Sequence, residues 1–200
     1  MEKGIKSRRR ILGIAFKLFA SYSYPDVSYS LLEEASGISR GSMVYYFKNK
    51  EGLFRAVLDT FFYGPDDISS VQKEQTLSLK LFYNHLVEKI RENTSLLLPF
   101  NIPNLSEARF NIERSAAQFI PEFRKRAAEA QAENRRIWTE VVRNSVESGE
   151  LRKEIDIKAT AELFQTITLG FFYMSSKARP AEGIDLLLQL YDAQYSLIRN

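Results

Sequence analysis

The sequence predicts an all-α protein, and three observations carry that expectation. Glycine and proline are scarce, 9 and 6 of 200 residues, with no recurring strand–turn–strand punctuation. Apolar residues return at helical spacing through most of the chain. At 44% of the composition they are also ample for a packed core, which excludes wholesale disorder. Nine or ten helices are expected, in a small N-terminal head (residues 1–55) and a larger body (residues 56–200).

In chain order, a first helix over about 7–21 places Ile11, Ile14, Ala15, Leu18 and Phe19 on one face. Pro25-Asp26 ends it. Ser28 caps a second helix, about 29–36, and Gly37 suits the left-handed position of a tight turn. Ser39 caps a third, about 40–46. Asn49 starts a fourth, running to about Tyr63 and closed by Gly64-Pro65-Asp66-Asp67. The head-to-body boundary falls inside this fourth helix. Residues 70–92 carry Leu79, Phe82, Tyr83, Leu86 and Ile90 on one face. Pro99 and Pro103 interrupt the apolar run after Leu96, so a short helix and an irregular connection are expected there. Helices over about 106–118, from Pro121 to Ser148, over 157–178 behind an Asp156 cap, and over 182–198 complete the chain.

The stretch Gly37 to Glu51 carries the chemistry. Two short helices joined by a tight turn, pinned by Leu31, Leu32, Ile38 and Met43, form a helix-turn-helix whose second helix is read by DNA. Arg40 can offer two donors to a guanine edge, and Ser42 one to a base or a phosphate. Gly41 lets the backbone approach the groove floor. Ser28, Tyr29, Ser39, Tyr45, Tyr46 and Lys50 are placed around that helix to cap it or to grip phosphates, and the amino end of the fourth helix adds partial positive charge. Lys6 begins the basic cluster Lys6-Ser7-Arg8-Arg9-Arg10, which is either a solvated helix end or, beside such a motif, an arm on the DNA backbone. Charge is distributed accordingly. Residues 1–55 hold ten Lys/Arg against five Asp/Glu, whereas the other 145 hold eighteen against twenty.

From Arg10 to Leu53 the chain resembles the DNA-binding domain of TetR-family transcriptional regulators. The matching pieces are Ile11-Leu12, Ala15, Leu18-Phe19, Tyr24, Ser28, Gly37 to Ser42, and Tyr46-Phe47-Lys48-Asn49-Lys50-Glu51 with Leu53. Gly149-Glu150-Leu151-Arg152 and Asp156 resemble the family between two long body helices. Three positions depart from its pattern. Glu33 stands where alanine is usual, Val44 where tyrosine meets a phosphate, and Ser23 where glycine is usual. Val44 removes one backbone contact, and Glu33 either points outward or alters the helix crossing.

The resemblance implies a homodimeric repressor on a palindromic operator in double-stranded DNA, released by a small-molecule effector held in the body. It also implies a four-helix dimer interface built from the last two helices of each copy. Phe164, Thr168, Phe171 and Phe172 on one, with Leu187, Leu188, Tyr191 and Tyr195 on the other, are the candidates, against an ordinary core role for each. Phe82, Phe100, Phe110, Trp138 and Phe164, with His85 as a polar anchor, are candidates to line an effector cavity, again against a core role. So aromatic a set favours a hydrophobic effector. A protein partner in place of the effector, activation in place of repression, and an enzyme with a vestigial motif are the alternatives.

The composition argues against the last of these. No cysteine means no disulfide, thiolate metal site or cysteine nucleophile, and the single histidine excludes a multi-histidine metal site. No phosphate-binding glycine loop appears, so neither metal nor cofactor is expected. No apolar run approaches the ~18 residues of a membrane span, and the start of the chain lacks a signal-peptide core. A cytoplasmic protein without a membrane partner is expected.

Overall fold

The computed structural model describes residues 2–62, 78–95, 97–177 and 183–200, and of residues 2–6 the backbone alone. Nine α-helices are found among the described residues: α1 (Glu2–Ser21), α2 (Tyr29–Ser36), α3 (Arg40–Phe47), α4 (Lys50–Phe61), α5 (Leu79–Ser95), α6 (Leu105–Phe119), α7 (Phe123–Glu147), α8 (Ile157–Lys177) and α9 (Asp185–Ile198). The protein is all-α. The expected turn at Gly64-Pro65-Asp66-Asp67 and the stretch 70–77 lie outside the described residues.

Two compact units emerge, one from Met1–Gly64 with Leu96–Pro121, the other from Pro65–Ser95 with Glu122–Asn200. This grouping cuts the chain differently from a division at 55/56, because residues 96–121 join the first helices.

In the first unit, α1 starts five residues earlier than its apolar pattern suggests, since Glu2, Lys3 and Lys6 are good helix formers. Ile11, Ala15, Phe16 and Phe19 of α1 and Phe54 and Val57 of α4 are fully buried where the two helices pack. The Phe19 and Phe54 rings lie 4.6 Å apart and Phe16 meets Phe61 edge-on at 5.1 Å. Each such ring stabilises by about 1.5–3 kcal/mol. The proline-interrupted segment becomes a single 3-10 turn, Leu98–Phe100, ended by Asn101 in the left-handed region at φ 49°. Its Phe100 ring occupies the space over Gly13, where an added Cβ would lie 2.0 Å from Cζ. α6 then packs on α1, with Asn111 Nδ2 donating to the Ala20 carbonyl at 3.1 Å. Arg109 Nη1 donates to the Phe61 carbonyl at 2.8 Å, taking up an acceptor that the end of α4 leaves free.

The second unit is built around Phe82, Tyr83, Trp138, Phe164 and Tyr191, none more than 1% exposed. Phe82 meets Trp138 edge-on at 4.7 Å, and Phe164 stacks on Tyr191 at 5.6 Å. Between α7 and α8, Gly149 takes φ 82°. The next residue caps α5: the Glu150 carboxylate accepts from the N–H groups of Leu79 (3.2 Å) and Lys80 (3.0 Å) and from Ser78 Oγ (3.0 Å). The chain end is tied to the same loop, with Arg152 N–H donating to the Ile198 carbonyl and Asn200 N–H to that of Glu150. The Gly149–Asp156 stretch thus ties together four helices of this unit, α5, α7, α8 and the end of α9.

Candidate nucleic-acid interface

The reading head is assembled by caps that the sequence encodes locally. Ser28 Oγ accepts from Leu31 N–H at 3.1 Å, Ser39 Oγ from Ser42 N–H at 3.3 Å, and Asn49 Oδ1 from Gly52 N–H at 2.7 Å. Gly37 sits at φ 65° between α2 and α3, the left-handed conformation the tight turn needs. Inside the turn, Leu32 and Met43 are fully buried and Phe47 nearly so, which fixes the inward face of α3. Its outward face is therefore determined by elimination. Arg40, Gly41, Val44 and Tyr45 are exposed, Tyr45 most of all at 83%. Ser42 and Tyr46 are half-buried.

The expected DNA-contacting residues fall into two groups. Ser39, Arg40, Gly41, Ser42, Tyr45 and Tyr46 share α3 and its cap. A Cβ at Gly41 would meet nothing nearer than Ser39 Oγ at 3.9 Å, so nothing inside the head demands glycine there. Around this helix lie Ser28 and Tyr29 at the start of α2, and Lys50 at the start of α4. Lys50 Nζ donates to the carbonyls of Tyr24 (3.0 Å) and Pro25 (3.2 Å) and lies 4.6 Å over the Tyr24 ring, latching α4 to the connection between α1 and α2. An ammonium has three donors, so one remains. Lys6 belongs to α1, its side chain being outside the description. The basic cluster is thus helical, and Arg8 lies 5.5 Å over the Phe47 ring.

Glu33 was not anticipated as a partner of α3. Neither outward-pointing nor a mere change of crossing, its Oε1 accepts from Arg40 N–H at 2.5 Å. The signal was an acidic side chain on the preceding helix, seven residues before a helix N-terminus where its charge is favoured. Gly52 was also missed. Its hypothetical Cβ would lie 2.0 Å from the Phe47 carbonyl oxygen, so α4 can start against the end of α3 only with glycine there.

The expected effector residues are divided between the two units. Phe100 and Phe110 belong to the first unit, Phe100 against Gly13 and Phe110 40% exposed. Phe82, Trp138 and Phe164 fill the core of the second against one another, with His85 half-buried on α5. The expected interface residues also divide. Phe164, Leu187 and Tyr191 are wholly buried within this chain and Phe171 nearly so, the core role weighed against an interface for each. Thr168 Oγ1 and Tyr191 Oη share a hydrogen bond, while Phe172, Leu188 and Tyr195 are half-buried around the same core. The exposed apolar residues of α8 and α9 are instead Leu163, Leu169, Tyr173, Met174, Leu190 and Leu197. Among the described residues no helix is long and apolar enough to cross a membrane.

A family profile for bacterial regulatory proteins of the tetR family matches residues 11–57. Over 195 residues the chain is 28% identical to the HTH-type transcriptional repressor AcnR of Corynebacterium efficiens, covering 96% of this chain and 93% of that protein. The AcnR of Corynebacterium glutamicum is 25% identical over the same shares. Among solved structures, the regulator PfmR from Thermus thermophilus superposes with a TM-score of 0.68 at 17% identity, covering 94% of this chain and 97% of that one. The ketosteroid regulator KstR2 of Mycobacterium tuberculosis gives 0.67 at 17% identity, with coverage of 96% and 95%. These two share the fold.

Proposed function

We propose, for a chain that belongs to the TetR family of transcriptional regulators, a homodimeric repressor that occupies a palindromic operator and leaves it when a small hydrophobic molecule binds the helical body. The DNA-binding part of this reading is carried by the outward face of α3, which combines a forked donor (Arg40), a hydroxyl (Ser42), an open glycine (Gly41) and an exposed tyrosine (Tyr45). Residues 1–55 are the reading head and 56–200 the regulatory body. Repression is supported by the two AcnR relatives, both named transcriptional repressors and similar over nearly their whole length.

One recognition helix touches only a few base pairs, so useful specificity calls for two copies about one helical turn apart. The dimer is supported by the exposed apolar strip on α8 and α9. Gly170 lies within it, and a Cβ there would meet nothing within 4 Å, leaving room for a second backbone to approach. Replacing both Tyr173 and Met174 with glutamate is expected to give a monomer by sedimentation, with operator affinity lost together with the dimer. An intact dimer would move the interface elsewhere.

For the effector, the support is one buried polar group, Gln165 on α8, in the unit whose core is aromatic. Gln165 is 6% exposed and its Oε1 lacks a hydrogen-bond partner. A buried acceptor without a donor is costly, so an apolar molecule carrying one N–H or O–H donor is the class to screen. A hit is expected to raise the melting temperature and release the DNA; compounds that stabilise without releasing DNA would contradict effector control.

A further inference from the structure

Two residues of α2 hold one residue of α3 at both its ends. Glu33 Oε1 accepts from the backbone N–H of Arg40 at 2.5 Å. The guanidinium of the same Arg40 lies 4.8 Å over the Tyr29 ring. Tyr29 and Glu33 stand four residues apart on α2, so they share a face. The carboxylate takes up the first N–H of α3, one of the donors a helix leaves unpaired at its start, where the dipole also favours negative charge. The ring holds a planar, weakly hydrated cation and removes rotamer freedom that an unsupported arginine would lose on meeting a base.

We propose that Tyr29 and Glu33 are positioning residues for base readout, fixing the backbone and the head group of Arg40 so that its fork meets a guanine edge already oriented. The proposal rests on the reading of α3 as the recognition helix. It also explains why a carboxylate is kept beside a surface meant for phosphates. Glu33 opposes every DNA backbone regardless of sequence, and it sharpens the one base contact that depends on sequence. Specificity is a difference of affinities, and both effects widen it.

The test uses the full-length protein and a duplex enriched by the wild type from a random pool, with single-base variants of that duplex and a scrambled control. Arg40→Ala marks the position that Arg40 reads. Glu33→Ala and Tyr29→Ala are each expected to lose several-fold to about tenfold discrimination at that position and none elsewhere. Combining Glu33→Ala with Arg40→Ala is expected to lose no more there than Arg40→Ala alone. Glu33→Gln keeps the acceptor oxygen and Tyr29→Phe keeps the ring. Both are expected to retain discrimination, with Glu33→Gln binding the scrambled duplex more tightly. Wild-type discrimination in both alanine variants, or losses spread evenly over all positions, would overturn the positioning role and leave the DNA-binding reading intact. A wild type that enriches no duplex would overturn both.

Discussion

At the scale of single residues, Val44 is one of the three departures from the family pattern. Val44 is 40% exposed on the outward face of α3 and offers DNA only methyl groups. Val44→Tyr is expected to strengthen binding to specific and scrambled duplexes alike by about 1.5–3 kcal/mol, one hydrogen bond to a charged phosphate. The slope of affinity against salt should not change, because a hydroxyl displaces no counterion. A change in base preference would mean that position 44 reads sequence. Away from the head, Asp192 accepts from Lys80 Nζ and Tyr83 Oη, both at 2.5 Å. Burial works against its charge, but these two donors hold its carboxyl below the ordinary value. A depressed folded pKa contributes stability above the unfolded value near 3.8 and loses it as pH falls through the folded one. Asp192→Asn is therefore expected to cost on the order of 1 kcal/mol at pH 7, solvent screening of this partly exposed pair included. The cost should shrink towards pH 3 in denaturant titrations; a pH-independent cost would place it in packing. None of this was legible in sequence, since Lys80 and Asp192 are 112 positions apart.

At the scale of elements, what could be read was what is local. Ser28, Ser39, Asn49 and Asp156 cap the helices they precede, because a cap acts within three residues of itself. Pro99 confines its segment to a 3-10 turn for an equally local reason. What could not be read was which side of α8 faces inward. Its apolar residues surround most of the helix, so spacing alone does not separate Phe164, in the core, from Tyr173, on the surface. The α3–α4 joint was missed for a related reason. Gly52 looks like an ordinary helical glycine until the Phe47 carbonyl is placed beside it. Gly52→Ala is expected to cost about 1–3 kcal/mol by forcing those backbones apart, measured by chemical denaturation. An unchanged midpoint would show that the joint relaxes freely.

At the scale of the whole molecule, the fold class and the DNA-binding role were legible because both rest on patterns spread over many residues. These are a helical apolar repeat, a compound motif from Arg10 to Leu53, and basic charge concentrated in residues 1–55. Whether the body holds a cavity was not legible, since that depends on which aromatics leave space between them. Phe82, Trp138 and Phe164 pack closely against one another. The central claim is sequence-specific, two-fold recognition of DNA, and selection of bound duplexes from a random pool at near-physiological salt tests it most directly. An enriched palindrome with half-sites about one helical turn apart is expected. Binding that enriches no sequence and fades evenly as salt rises would contradict it.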